Sequence, residues 1–269
     1  MSGLNVIDPY RAISSPVHRL DARVKFPLSL AFILTCSLVP HGSWVVFPLL
    51  LSISLSAAIS SHLGVGYVLK RSMWTLPFVL ATFPLIFTFD GTSIGSIQFL
   101  YWDLTISFDG LERFVSIVFK SWLSVQVAII LVSTTPFPQI LHALRWLRVP
   151  KLLVAVIGLM WRYIFVMAGE ANRLLRAREA RSGKVAGYPN GGKVAWRARV
   201  AGGMAGNLFL RSLERSDRVY AAMLSRGYDG EVRLLVEPPL GGDQLFQLFS
   251  GIGLFSLIII LGFLLGGAS

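Results

Sequence analysis

Six apolar runs, separated by polar segments, dominate the sequence and limit the folds that it can adopt. A helix needs about 20 apolar residues to cross the hydrocarbon core of a bilayer, and most of the runs approach that length. Only 14% of the 269 residues are charged, whereas soluble domains have about 25%. The sequence therefore predicts an all-α integral membrane protein. The runs cover residues 26–40, 44–60, 73–89, 112–133, 152–168 and 245–265.

Lysine and arginine alternate between the polar segments in a way that predicts the membrane topology. The N-terminal segment and the segments after the second and fourth runs are basic, whereas residues 40–43 and 90–110 contain no lysine or arginine. Because basic residues accumulate in cytoplasmic loops, the N-terminus is expected inside, and four spans return the chain to the inside near residue 134. The basic residues on the inside are Arg11, Arg19, Arg23, Lys25, Lys70, Arg71, Arg145, Arg148 and Lys151.

The fifth run, residues 152–168, is predicted not to cross the membrane. A crossing would place residues 170–240, the most basic part of the chain, on the outside. It would also place Arg162 near the centre of a span, at a cost of about 2.5–3.5 kcal/mol on insertion scales. We therefore expect about five spans, of which the last, residues 245–265, leaves the C-terminus outside.

This topology divides the chain into three parts. Residues 1–134 form an N-terminal membrane domain with four spans, residues 135–240 form a cytoplasmic helical region, and residues 241–269 form a C-terminal transmembrane helix. Within the cytoplasmic region, the pattern of apolar residues predicts two long helices at about 151–182 and 195–226.

Turn-forming residues and charge pairs support these helices. A short amphipathic helix, Ile140–Leu147, precedes them and ends before Pro150. Gly183 and Gly227 follow the two long helices, where glycine commonly ends a helix. Glu214 and Arg218 are four residues apart and are expected to pair on the surface of the second long helix.

A cluster of glycines makes the middle of the second long helix thin. Each of them costs about 1 kcal/mol in a helix interior, and the compensation is close approach of another helix. Gly158 of the first long helix could face this cluster, so the two helices are expected to cross there. The cluster consists of Gly202, Gly203 and Gly206.

No group of residues predicts a catalytic, metal or cofactor site on this chain. Residues 187–193 match seven of the eight positions of a P-loop, but Val194 replaces the serine or threonine that would bind magnesium. The four histidines are scattered, and the single cysteine, Cys36, lies in an apolar run. The apolar runs contain almost no acidic residues, which argues against a proton-coupled carrier and a membrane protease. A nucleic-acid partner is not expected for a lipid-embedded protein.

One arginine lies on the last turn of each long predicted helix. Ala180–Arg181–Ser182 ends the first helix and Ser225–Arg226–Gly227 ends the second. One interpretation is that these cations compensate the partial negative charge at a helix C-terminus. The other is that both arginines bind an acidic or carbonyl-rich groove of a partner protein, which suits the guanidinium group.

The segment Arg211–Gly230, RSLERSDRVYAAMLSRGYDG, closely resembles the transmembrane T components of energy-coupling factor transporters, especially the cobalt-type CbiQ branch. The segment Ser15–Lys25, SPVHRLDARVK, is similar to the start of the same family, and the resemblance covers nearly the whole chain. The family has an Ala-Arg-Gly-like signature at the tip of each of two coupling helices. Ala180–Arg181–Ser182 corresponds to the first, with serine in place of glycine, and Ser225–Arg226–Gly227 to the second, with serine in place of alanine.

The resemblance implies a non-catalytic subunit for cobalt uptake in the inner membrane of a prokaryote. Two cytoplasmic ATPase subunits would bind the helix tips, and a separate membrane subunit would bind the metal ion. ATP-driven closure of the ATPase pair would move the helices and reorient the substrate subunit. Nickel or vitamin uptake is an alternative, as are, from other classes, a membrane enzyme with a cytoplasmic site and a self-sufficient permease.

Overall fold

Helices form most of the regular structure in the computed structural model, which describes residues 10–84, 93–99, 102–181, 194–230 and 240–266. The predicted all-α membrane class is confirmed, with a small hairpin of strands in addition. The helices are α1 (Pro16–Arg19), α2 (Ala22–Leu38), α3 (Val46–Ser60), α4 (Val65–Ser72), α5 (Leu76–Leu80), α6 (Phe108–Thr134), α7 (Phe137–Trp146), α8 (Lys151–Arg181), α9 (Val194–Ser225) and α10 (Gly242–Gly266).

The short hairpin lies in the predicted outside segment between the third and fourth apolar runs. Strands β1 (Ser93–Phe99) and β2 (Trp102–Ser107) pair antiparallel, with Ile97 opposite Leu104. The pairing is irregular between Ser93 and Gly95. These strands were not predicted from the sequence.

The described residues pack as two compact units. The bundle unit lies within Pro9–Trp146 and Pro238–Ser269, and it contains α1 to α7 and α10. The second unit lies within Leu147–Glu237 and contains α8 and α9. We call it the hairpin unit after these two helices; the strands β1 and β2 are not part of it.

Helix α2 lies at the centre of the bundle unit. It packs against α6, α7 and α10, and α3 packs against α6. The side chains of Phe32, Leu50, Leu123 and Ile258 form a shared core with almost no exposed surface. Close packing of this kind holds helices together in a bilayer, where the lipid competes for apolar contacts.

Glycine allows α10 to approach α2 closely. A Cβ atom at Gly251 would lie 2.5 Å from Cδ2 of Leu28, and one at Gly262 would lie 3.4 Å from Val39. Ser43, in the turn between α2 and α3, donates a buried hydrogen bond of 3.0 Å to the carbonyl of Gly262. These contacts fix the last helix against the first long one.

Three helices among the described residues are long and apolar enough to cross a membrane. They are α6, α8 and, within α10, Gly242–Leu265, while α3 is apolar but shorter. By length and composition α8 therefore qualifies as a span. The prediction that residues 152–168 do not cross rests on the charge of the segment and on Arg162, and it stays a prediction.

The third predicted span, residues 73–89, is not a continuous α-helix in its described part. Met73–Thr75 form a 3₁₀ turn, α5 covers only Leu76–Leu80, and turns follow up to residue 84. Pro77 lies in the first turn of α5, where its missing N–H is tolerated, whereas in a helix interior proline removes a hydrogen bond. That this run crosses the membrane stays a prediction. Residues 85–89 lie outside the described ones.

The helices predicted for the basic region are confirmed. The short helix is α7, which begins at Phe137, before the predicted start, because Pro136 and Pro138 suit a helix N-terminus. The two long helices are α8 and α9, and their ends lie within one residue of the predicted ones.

Candidate functional site: the two long helices

An ion pair joins the two long helices of the hairpin unit. Arg215 on α9 donates a hydrogen bond to the carboxylate of Glu170 on α8. Glu170 is buried, and the Arg215 side chain is mostly buried. Hydrogen bonds between charged groups are stronger than neutral ones, so this pair contributes to holding α8 and α9 together.

An apolar groove of about 360 Å³ lies beside the ion pair and is lined by both helices. The residues of α8 that line it come before Glu170, and those of α9 extend from Ser212 to Met223. Because α8 residues before Glu170 share the groove with α9 residues after Arg215, the two helices run in opposite directions. The apolar lining includes Met160, Tyr163, Met167, Val219, Tyr220 and Met223.

The contact between the helices does not use the glycine cluster, contrary to the prediction. A Cβ atom at Gly202, Gly203 or Gly206 would meet no atom of the described residues within 4 Å. Gly158 is half-buried, but the helices touch around Glu170 and Arg215. The physical reason is the register of the pair. The glycines come 9 to 13 residues before Arg215, so in an antiparallel pair joined at Glu170 and Arg215 they lie at the level of the end of α8, away from Gly158.

Arg181 is the last residue of α8, and its side chain is exposed, as is Ala180 before it. Ser182 and the P-loop-like residues 187–193 lie outside the described residues. Among the described residues no carboxylate lies within ion-pair distance of Arg181. The arginine is therefore placed at one end of the helix pair, with its charge available.

Arg226 directly follows α9 and is also exposed. Gly227 has a φ of 79°, the backbone N–H of Tyr228 donates to the carbonyl of Met223 over 3.0 Å, and that of Gly227 donates to Leu224. These two hydrogen bonds form a Schellman motif, which needs glycine at the left-handed position. The predicted role of Gly227 as the helix stop is confirmed, and the motif fixes the backbone beside Arg226.

The two arginines lie at opposite ends of the helix pair, because each lies at the C-terminal end of one helix and the two helices are antiparallel. Met223, three residues before Arg226, lines the same groove as Met160. Arg181 lies 21 residues after Met160, which is about 30 Å along the helix axis. One partner surface can therefore bind at each end.

The hairpin unit is strongly basic, so its charge favours acidic partners. Its exposed arginines outnumber its acidic residues, and the predicted pair of Glu214 and Arg218 is confirmed at 4.0 Å. Both side chains of that pair are exposed, so it contributes little to stability. No group of three metal-ligating side chains occurs among the described residues.

Sequence reasoning missed the ion pair between Glu170 and Arg215. The signal was present, because Tyr163, Met167 and Glu170 follow the 3–4 spacing that places residues on one helix face. An acid on the apolar face of α8 and an arginine on the apolar face of α9 could have been matched.

Comparison with known proteins covers most of the chain. The family model CbiQ, described as cobalt transport protein, matches residues 13–236. The chain is 28% identical to the energy-coupling factor transporter transmembrane protein EcfT of Lactococcus lactis subsp. cremoris, over 80% of this chain and 81% of the relative. It is 26% identical to the cobalt transport protein CbiQ of Rhodobacter capsulatus, over 70% of this chain and 73% of the relative.

A third relative, from an archaeon, matches over an even larger share of the chain. It is an uncharacterized protein of Methanocaldococcus jannaschii, 25% identical over 90% of this chain and 82% of the relative. The family match includes both segments that carry the resemblance, Ser15–Lys25 and Arg211–Gly230. The chain therefore belongs to the CbiQ family of cobalt transport proteins.

Proposed function

We propose that this chain is the transmembrane coupling subunit of an energy-coupling factor transporter for cobalt uptake. It transmits the ATP-driven motion of two ATPase subunits to a separate membrane subunit that binds the metal ion. Family membership and the printed names of the relatives support the transport role. The single observation that carries the coupling role is the placement of Arg181 and Arg226 at opposite ends of one antiparallel helix pair.

Each arginine binds one ATPase subunit in this proposal. An exposed guanidinium at the end of a helix can reach into a groove of acidic side chains or backbone carbonyls and form several hydrogen bonds there. When ATP draws the two ATPase subunits together, the two ends of the helix pair are moved at once. Glu170 and Arg215 connect the helices between those ends, so the pair transmits the motion.

The topology expected from the charges belongs to the same proposal. Residues 135–240 form the cytoplasmic coupling region, and the chain crosses the inner membrane on either side of it, within residues 1–134 and 241–269. The N-terminus lies inside and the C-terminus outside. Under this topology both arginines face the compartment that contains the ATPases.

Charge reversal at the helix ends tests the proposal. The chain is co-expressed with its ATPases, and the amount of ATPase that co-purifies is measured. Arg181→Glu with Arg226→Glu should abolish co-purification while membrane insertion is retained, and each single reversal should leave about half of the ATPase bound. The matched control, Arg173→Glu with Arg211→Glu, makes the same charge change at exposed positions away from the helix ends. Unchanged co-purification of the end variant would refute the docking role.

A second experiment separates coupling from the enzyme and permease alternatives. Purified alone, the chain should neither hydrolyse ATP nor bind cobalt tightly in calorimetry. Either activity would favour a membrane enzyme or a self-sufficient permease. The metal or vitamin that is carried would follow from the membrane subunit that co-purifies with the chain from native membranes, and this separate preparation distinguishes cobalt from nickel or vitamin uptake.

A further inference from the structure

Two arginines of the bundle unit share one tyrosine ring. The guanidinium carbon of Arg11 lies 3.8 Å from the centroid of the Tyr67 ring, and that of Arg71 lies 5.9 Å from it. Arg71 also donates a hydrogen bond of 2.7 Å to the Tyr67 hydroxyl. Both guanidinium groups are exposed, and Tyr67 is half-buried. The ring thus contacts two cations at the surface.

The backbone around these side chains is fixed by contacts to other elements. The N–H of Arg11 donates to the carbonyl of Ser133 at the end of α6, over 3.0 Å. The carbonyl of Arg11 accepts a hydrogen bond of 3.1 Å from the ring of His18. Tyr67 lies on α4, which packs against α6. The two cations are therefore held in place before any ligand binds, which reduces the entropy cost of binding.

No carboxylate compensates these two charges among the described residues. Asp21, an acidic residue of the same N-terminal segment, is paired with Arg23 at 3.1 Å. The Tyr67 phenol lies close to both charges. Burial would raise its pKa, but the hydrogen bonds with Ser133 and Arg71 and the charges of Arg71 and Arg11 lower the pKa below its ordinary value. Like charges repel, so an anion bound close to both guanidinium groups lowers the energy of the arrangement.

The segment that carries Arg71 has the features of a helix at a membrane surface. In α4 the side chains of Val68 and Ser72 are buried, whereas Lys70 and Arg71 are exposed. Directly after α4, Trp74 is 79% exposed in the unembedded chain. Basic residues beside an exposed tryptophan are typical of the headgroup level of a bilayer, where cations meet phosphates and the indole ring meets the upper acyl chains.

We propose that Arg11 and Arg71, held on the ring of Tyr67, bind the phosphate of an anionic phospholipid headgroup. Guanidinium groups bind phosphate oxygens through paired hydrogen bonds. Two of them around one anion also neutralise its charge. The bound lipid would tie the N-terminal segment, α4 and the end of α6 to the membrane surface. This site is separate from the coupling role and does not depend on it.

Lipid titration of the full-length chain tests the site. The detergent-solubilised protein is titrated with phosphatidylglycerol or with phosphatidylcholine, and bound lipids are counted by native mass spectrometry. One phosphatidylglycerol should bind more tightly than the others. Arg11→Gln with Arg71→Gln should weaken that binding about thirtyfold, the effect of removing two cations near an anionic headgroup.

A matched control removes the same charge from neighbouring exposed positions. Arg19→Gln with Lys70→Gln changes one residue in each of the same two segments and should weaken the binding clearly less, because the proposed site consists of Arg11 and Arg71 on the Tyr67 ring. Equal weakening in both double variants would show that only net charge matters and would overturn the site. Equal binding of phosphatidylcholine and phosphatidylglycerol by the unchanged protein would overturn it as well.

Two further measurements address folding and the source of the phosphate. Arg11→Lys with Arg71→Lys keeps the charges and should still lose several-fold in affinity, since lysine lacks the paired donors. When both proteins are in phosphatidylcholine, this variant should unfold at the same temperature as the unchanged protein, which would show that its fold is intact. Millimolar inorganic phosphate, compared with chloride at equal ionic strength, should not displace the lipid. Displacement would identify a site for soluble phosphate and refute the lipid site.

Discussion

Glu170 on α8 and Arg215 on α9 form an ion pair between residues 45 positions apart in the chain. The pair lies next to the apolar groove between the two helices, and one carboxylate oxygen of Glu170 is buried without a hydrogen-bond partner among the described residues. It is a polar contact that joins α8 and α9.

Glu170→Gln should destabilise the hairpin unit by about 2 kcal/mol, because it leaves the mostly buried Arg215 without its counter-charge. The measurement is thermal or denaturant unfolding of the full chain in detergent. Glu170→Arg with Arg215→Glu should recover part of the loss, since the reversed pair can form again. The control is Glu214→Gln, which removes an exposed pair worth about 0.3–0.5 kcal/mol. Equal losses of stability in Glu170→Gln and Glu214→Gln would show that the buried pair stabilises the protein no more than the exposed pair does.

Gly251→Leu should destabilise the contact between α10 and α2. The added side chain would begin 2.5 Å from Cδ2 of Leu28, so Leu28 must change rotamer or the helices must separate, at a cost of about 1–3 kcal/mol. Gly253→Leu is the matched control, because a Cβ atom at Gly253 meets nothing within 4 Å. Unfolding temperatures of both variants in the same detergent check the prediction, which fails if they are equal.

Asp21→Ala should lower the free energy of unfolding by about 1 kcal/mol or more, because it removes the N-cap of α2. The Asp21 carboxylate accepts from the backbone N–H of Arg23 at 2.8 Å, and it also pairs with the Arg23 side chain. Asp21→Asn keeps the cap but removes the charge, so it should lose less. The comparison of the two variants separates the cap from the ion pair.

The same residue predicts a pH dependence. Burial would raise the pKa of Asp21, but the hydrogen bonds and charge of Arg23, together with the charge of Lys25, lower it below the ordinary value of 3.8. A lowered carboxyl pKa stabilises the folded state fully above 3.8, and this contribution is lost as the pH falls through the lower, folded-state pKa. Unfolding measured across that acidic range should show a smaller loss of stability in Asp21→Asn. An identical pH profile would contradict the assignment.

A reporter inserted after Ser182 should report a cytoplasmic location. The reason is the positive charge that follows α8, since short basic segments are retained inside. Length and composition alone would allow α8 to cross, so the experiment decides between two physical criteria. A reporter fused after residue 43 should read outside and provides the reference. A periplasmic reading after Ser182 would refute the five-span topology.

The sequence by itself determined the membrane class, the positions of α8 and α9, the helix stop at Gly227 and the placement of Arg181 and Arg226 at helix ends. These properties depend on residues close together in the chain: apolar spacing, a terminal glycine and the length of an apolar run. The family followed from two short segments for the same reason.

Only the tertiary structure decided which faces of the helices touch. The glycines of α9 predicted a crossing, but the contact lies at Glu170 and Arg215, and in that antiparallel register the glycines lie at the level of the end of α8. Likewise, nothing local places Arg11 on the ring of Tyr67. Such contacts depend on interactions between side chains that are far apart in the sequence. Local sequence patterns and helix propensities carry no information about these interactions.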